Sequence, residues 1–188
     1  MTTQKSYLKA NFNPETRDQF ARTPDDVMQI LRDQFNEGNA FFDPCPIDPS
    51  VDGLTIQWPT DQGVYCNPPY NNLEVWLSKV VGEARRGSPH RNITCLIPNR
   101  TDTNWYHDLV LAQASHVYLV KQGVRFNDTD NKPYRRKCPF PVCVAIYTKQ
   151  RPAQLVCESI DFYEKEKEEL RQRILKNKAK RKRRKKKE

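Results

Sequence analysis

No apolar run in the 188 residues approaches the roughly 18–20 needed to cross a bilayer, and mean hydropathy is −0.88, so no membrane association is expected. The first thirteen residues are polar and lack the apolar segment of a secretory signal. No CxxC pair occurs. The closest cysteines, Cys138 and Cys143, have four residues between them and no histidine nearby, which argues against structural zinc and leaves no metal expected. Without a signal, the six cysteines read as reduced thiols rather than a disulfide frame. The length leaves no room for a second full core. An excess of either charge is also missing from most of the chain. Residues 176–188 hold ten bases and one acid, which accounts for the whole net charge of +9 and leaves residues 1–175 with 22 of each sign.

Residues 1–22 are polar without a clear period and read as an arm, mobile or draped over the domain. Thr23 is placed to cap a helix, with Pro24 at its first position and Asp25 and Asp26 at the positive end of its dipole. Val27, Ile30, Leu31 and Phe35 recur at helical spacing, and Gly38 ends the pattern. A short strand at Ala40-Phe41-Phe42 runs into Asp43-Pro44-Cys45-Pro46, whose two prolines exclude a central strand. A second strand, residues 63–66, runs into Asn67-Pro68-Pro69-Tyr70 and then a helix with Leu73, Trp76, Leu77, Val80, Val81 and Ala84 on one side. A third, residues 93–97, is halted by Pro98. An amphipathic helix over about 104–114 follows, then short strands at 116–120 and 124–126, a basic loop over 127–141, and a last buried strand at 142–147. From Asp161 the acid–base alternation predicts a solvated helix leading into the cationic tail.

Strands and helices alternating, with continuously apolar strands, predict a three-layer α/β sheet. In such sheets ligands bind beyond the carboxyl ends of strands. Three unusual segments fall there: 43–46, 67–70 and 98–103. The domain is expected over 23–160, after an arm at 1–22 and before a charged helix and lysine/arginine-rich tail at 161–188.

The prolines of Asn67-Pro68-Pro69-Tyr70 stiffen a loop that presents a carbonyl edge beside an amide and a phenol ring. Such a loop can take two hydrogen bonds from an exocyclic amine, through the Asn67 side-chain oxygen and the Pro68 carbonyl, with Tyr70 stacked on the ring that bears it. It reads equally as a Pro-rich turn with Tyr70 covering core.

An Asn/Asp-Pro-Pro-Tyr/Phe tetrapeptide after a strand resembles the catalytic motif of amino-group methyltransferases acting on adenine or cytosine in nucleic acid and on glutamine in protein. Over about residues 22–148 the chain is similar to the phage-type DNA N6-adenine methyltransferase family. The resemblance rests on Thr23-Pro24, Phe42-Asp43-Pro44-Cys45-Pro46, Asp52-Gly53-Leu54 with Trp58, Asn67-Pro68-Pro69-Tyr70 with Trp76, residues 96–103 with Trp105 and His107, and Pro139-Phe140-Pro141. Two positions depart from the pattern. Residues 43–46 read Asp-Pro-Cys-Pro where Asp-Val-Cys-Ala is usual, and Asn99 replaces a small alanine. The tail is no part of the pattern.

What the resemblance implies is a class I (Rossmann-like) methyltransferase fold that binds S-adenosylmethionine and acts on DNA, without a separate target-recognition domain. Asn67, Pro68, Pro69 and Tyr70 would be catalytic, with methyl transfer to the N6 amine of a flipped adenine. Thr23, Pro24, Asp43, Pro44, Cys45 and Asn67 would lie at the cofactor. Asp43 serves also as a loop-capping carboxylate, and Thr23-Pro24 as an ordinary helix cap. The usual glycine-rich cofactor loop is missing. Arg100 is a candidate DNA contact or the partner of Asp102 in a surface ion pair. Arg135, Arg136 and Lys137 are candidate phosphate contacts or a solvated loop. The eight consecutive bases of 180–187, Lys180, Arg181, Lys182, Arg183 and Arg184 among them, suit phosphate neutralisation, nuclear import, or both. They imply a nuclear location in a eukaryote and a cytoplasmic, nucleoid-associated one otherwise. Two alternatives stand beside this reading: an amino-methyltransferase acting on RNA adenine, DNA cytosine or protein glutamine, and a catalytically silent nucleic-acid-binding module.

Overall fold

A computed structural model of the chain describes residues 21–46, 52–128, 130–164, 167–169 and 171–176. Helix α1 covers Asp25–Phe35, β1 Val64–Cys66, α2 Leu73–Arg86, β2 Ile93–Pro98, β3 His116–Val120, β4 Val142–Tyr147 and β5 Val156–Ile160. A 3-10 turn, Tyr70–Asn72, leads into α2, and a π-wound turn, Tyr106–Leu111, stands between β2 and β3.

The strands form one mixed sheet in the order β1-β2-β4-β3-β5. β1 is parallel to β2 and β3 to β5, whereas β4 lies antiparallel to both β2 and β3. The segment around Phe42 adds a single parallel bridge along β1: Phe42 N–H donates to Gly63 O at 2.9 Å, and Tyr65 N–H to Phe42 O at 3.0 Å.

Alternate side chains leave a strand on opposite faces, and here both faces are covered. On one, Val64, Cys66, Ile93, Cys95, Ile97, Cys143 and Ala145 pack against Trp76, Leu77, Val80 and Ala84 of α2 and against Tyr106 and Val110. On the other, Tyr65, Leu96, Val142, Val144 and Ile146 meet Val27 and Leu31 of α1 together with Val124 and Phe126. Every position of β1, β2 and β4 is therefore buried, which is why these strands are continuously apolar in sequence.

Several expectations need correction. Pro24, not Thr23, is the N-cap of α1, and no side chain caps the helix. The Thr23 hydroxyl is instead buried against the Tyr65 hydroxyl at 2.5 Å. The helix expected over 104–114 is wound as the π turn. Residues 124–126 are not a strand. Val124 and Phe126 are buried, but their carbonyls accept from Cys138 N–H (2.7 Å) and Tyr134 N–H (2.9 Å), folding the 127–138 segment back over them. β5 was not anticipated: Cys157, Glu158 and Ser159 are exposed at the sheet edge, so no hydrophobic pattern marks them. Residues 167–169 and 171–176 are helical and largely exposed. All six cysteines are free, and no helix among the described residues is long and apolar enough to cross a membrane.

Helix α2 also fixes residues 53–59, ahead of β1. Glu83, 4 % exposed, pairs with Lys79 (2.9 Å) and Arg86 (2.5 Å). Lys79 donates to the Ile56 carbonyl at 2.7 Å, Arg86 to that of Trp58, and Arg91 to that of Pro59. The Trp58 indole in turn donates to Gly53 O at 2.8 Å. A buried charge cluster thus ends in a fixed position for Gly53.

Candidate active site

The Phe42 segment, β1 and β2 run parallel, so segments 43–46, 67–70 and 98–103 leave the sheet at one edge. β4 runs the other way, so its start comes to that same edge. Pro98 lies opposite Val142, and Asn99 N–H donates to Pro141 O at 2.9 Å. Phe140 then packs edge-on against Tyr70, ring centroids 5.8 Å apart at 65°.

At the centre of this edge the Asn67 amide is held from both ends. Its nitrogen donates to the Ala21 carbonyl at 3.0 Å, and its oxygen accepts from the Tyr70 hydroxyl at 3.2 Å. A flipped amide would set oxygen against oxygen at Ala21, so the network decides the orientation. Burial above all pushes the Tyr70 phenol well above its ordinary pKa, so it stays protonated and donates. One lone pair of Asn67 Oδ1 is left for a further donor. Ala21 is itself held in place: Arg22 and Asn127 exchange two backbone hydrogen bonds of 2.8 Å, and Thr23 is tied to Tyr65.

Asp43 accepts from Cys45 N–H at 2.8 Å, as a loop-capping carboxylate does. It has exposed surface but crowded neighbours. Desolvation raises its pKa, opposed by that backbone bond. Burial first, then the carboxylates of Asp43 and Asp52, push the Cys45 thiol up to about 12, which makes it a poor nucleophile. Pro44 is buried beneath Gly53. A Cβ on Gly53 would lie 1.9 Å from the Pro44 carbonyl oxygen, so only glycine permits this backbone approach.

The candidate DNA contacts are scattered by comparison. Arg100 pairs with Asp102 at 3.3 Å, both side chains mostly exposed, which is the surface ion pair of the alternative reading. Arg135 and Arg136 are exposed and make no ion pair among the described residues. The Lys137 ammonium sits 4.6 Å from the Tyr163 ring centroid. It borders a cleft of about 570 Å³, lined by Pro24, Asp25, Asp26, Arg125 and Tyr163 among others, at the start of α1. Lys180, Arg181, Lys182, Arg183 and Arg184 lie outside the described residues. Among the described residues no group of His, Cys, Asp or Glu is placed to hold a metal ion.

A family model described as DNA N-6-adenine-methyltransferase (Dam) matches residues 9–173, most of the chain and the whole of this sheet edge. The chain belongs to the Dam family. No curated protein matches it. The family's activity is methyl transfer to DNA adenine, so DNA is the substrate that membership implies. The Dam-family match starts at residue 9 and so takes in part of the arm. One group at the site, the Ala21 carbonyl, escaped the sequence reading, and Gly53 entered it only as part of the family resemblance. The Ala21 carbonyl is backbone and leaves no residue-type signal. Gly53 did carry one, a lone glycine between Asp52 and Leu54, but nothing in sequence pointed to Pro44 as its neighbour.

Proposed function

We propose that this Dam-family chain methylates N6 of an adenine flipped out of DNA, with S-adenosylmethionine as methyl donor, on a class I three-layer fold. The observation that carries the reading is the Asn67 amide, held with its oxygen free to accept, beside Tyr70 at the edge where three strand ends meet. The two packed faces of the sheet support the class I assignment.

The residues present fit the cofactor. Its polar groups call for a carboxylate at a strand end and a close backbone surface. Asp43 supplies the first, and the backbone of the 43–46 loop, held in place by the close Gly53–Pro44 approach, supplies the second. Thr23, Pro24, Asp43, Pro44, Cys45 and Asn67 would hold it. When bound, S-adenosylmethionine supplies an electrophilic methyl group.

The chain's own part is positioning. The N6 lone pair is delocalised into the purine ring, so the amine is a weak nucleophile. Asn67 Oδ1 and the Pro68 carbonyl accept its two hydrogens and favour a more tetrahedral nitrogen whose lone pair is free to attack. Pro68 and Pro69 keep the loop from relaxing. Tyr70 offers its ring to the flipped base and steadies Asn67 through its hydroxyl. Arg135, Arg136, Lys137 and the tail bases supply the positive charge that holds the phosphates.

The test is nucleoside mass spectrometry of DNA and RNA incubated with protein and isotopically labelled S-adenosylmethionine. Label in N6-methyladenine from DNA is expected, and Asn67→Ala should cut turnover by roughly 10²–10³ while changing cofactor affinity much less. Label only in RNA or in cytosine would move the assignment to another amine. No transfer, with no cofactor binding by calorimetry, would leave a nucleic-acid-binding module.

A further inference from the structure

We propose that the backbone carbonyl of Ala21, in the arm that precedes the domain, is a positioning group for methyl transfer, and that it makes position 67 selective for asparagine over aspartate. This rests on the catalytic reading of Asn67. The Ala21 carbonyl accepts from Asn67 Nδ2 at 3.0 Å, so one end of the side chain must be a donor and the other is left to accept. A carboxylate has no donor. In that place it would set an anionic oxygen against a carbonyl oxygen, a repulsive contact at this range. The carbonyl cannot easily withdraw, because the mutual Arg22–Asn127 bonds and the Thr23–Tyr65 bond fix the residues after it. Ala21 is therefore part of the site, although it stands 46 positions before Asn67 in the chain.

A protonated carboxyl, by contrast, reproduces the amide: its O–H donates to Ala21 and its carbonyl accepts the amine. Asn67→Asp therefore becomes a titratable copy of the native side chain. The titratable groups tied to position 67 are Tyr70, hydrogen-bonded to it, the Tyr65 phenol and the Cys138 and Cys143 thiols that act on Tyr70, both thiols raised by burial, Cys66 next to it in the chain, and Asp43, whose charge acts on Tyr65. Burial raises Tyr70, Tyr65 and Cys66, which stay neutral through the working range. Any titration of Asp43 occurs in the parent as well and cancels in a ratio.

The experiment measures turnover of the full chain and of Asn67→Asp from pH 5.5 to 8, as the variant-to-parent ratio at each pH. The ratio should rise as pH is lowered, about tenfold per unit while the pH stays above the pKa of the introduced carboxyl and levelling below it, following the protonated fraction. A second variant, Arg22→Pro, removes the Arg22 N–H bond to Asn127 and loosens Ala21. It should lower turnover by about tenfold with the KM for S-adenosylmethionine unchanged. A pH-independent ratio, whether near one or near that of Asn67→Ala, would overturn the role of Ala21 and leave methyl transfer standing. So would an Arg22→Pro variant with parental turnover. Full turnover in Asn67→Ala would instead overturn the catalytic reading itself.

Discussion

Adding a single methyl group at Gly53 tests how the site is held from behind. The new Cβ would stand 1.9 Å from the Pro44 oxygen, 2.8 Å from its carbonyl carbon and 3.0 Å from its Cβ. Ordinary carbon–oxygen contacts begin at roughly 3.3–3.6 Å, so the two backbones must separate by about 1.5 Å. No rotamer change relieves this, since the obstructing atoms are mainly main chain. Gly53 cannot retreat freely, because its carbonyl is bound by the Trp58 indole, which is anchored through Arg86 to α2. The displacement falls on Pro44 and hence on Asp43 and Cys45. Overpacking of this kind costs about 1–3 kcal/mol of stability. A shift near 1 Å in positioning groups costs on the order of 10² in rate. Gly53→Ala should therefore lower the unfolding midpoint, weaken S-adenosylmethionine binding by at least tenfold in calorimetry, and reduce turnover by about 10². Parental cofactor affinity and turnover in that variant would refute the role given to the Gly53–Pro44 approach.

Other perturbations probe other parts. Tyr70→Phe keeps the ring but loses the bond to Asn67, so it should cost about 0.5–1.5 kcal/mol in kcat/KM, whereas Tyr70→Ala also loses about 1–3 kcal/mol of base stacking; equal losses would mean that the ring does not stack. At Glu83 burial alone would raise the carboxyl, but the hydrogen bonds and charges of Lys79 and Arg86 outweigh it and hold the pKa below the ordinary range. Its stabilisation is thus present above the unfolded pKa and lost as pH falls through the folded one. Urea unfolding should show Glu83→Gln weaker than the parent by about 1–3 kcal/mol at pH 7 and the gap closing towards pH 3, and a constant gap would contradict the ion-pair account. Removing residues 176–188 should flatten the slope of log DNA affinity against log salt by roughly four units if half the ten bases engage phosphate, with turnover at saturating DNA little changed; equal slopes would leave localisation as the tail's role.

Sequence reasoning reached the site through residues that break local rules. Prolines at 44, 46, 68 and 69 cannot extend a central strand, and Pro98, expected to stand beyond the third strand, is instead the last residue of β2, so each strand end announced itself to within a residue, and the three ends lie side by side. What escaped was decided by partners distant in the chain. Thr23 has the composition of a cap, yet its hydroxyl is taken by Tyr65, 42 residues on. The reversed direction of β4 leaves no mark in its residues, because a strand buried on both faces is apolar whichever way it runs. Val124 and Phe126 look like a strand because they are buried, but their carbonyls serve a loop rather than a ladder. β5 was invisible for the opposite reason: an edge strand with exposed polar positions carries little hydrophobic signal.

The place of β4 also bears on how the molecule comes into being. β1 and β2 share a ladder, as do β3 and β5, but only β4 joins the first pair to the second. A chain leaving the ribosome has made Asn67 and Tyr70 long before residues 142–147 exist, and until those residues dock, β2 ends in an open edge. The same docking brings Phe140 to Tyr70 and Pro141 to Asn99. Closing contacts between segments so far apart in sequence is slow relative to forming helices, and an apolar strand edge left open meanwhile is where newly made copies would stick to one another. The candidate active-site edge is thus completed, and the aggregation hazard removed, by the same docking of β4, so a substitution within β4 that slows docking should reduce yield in the cell before it alters chemistry in the purified protein.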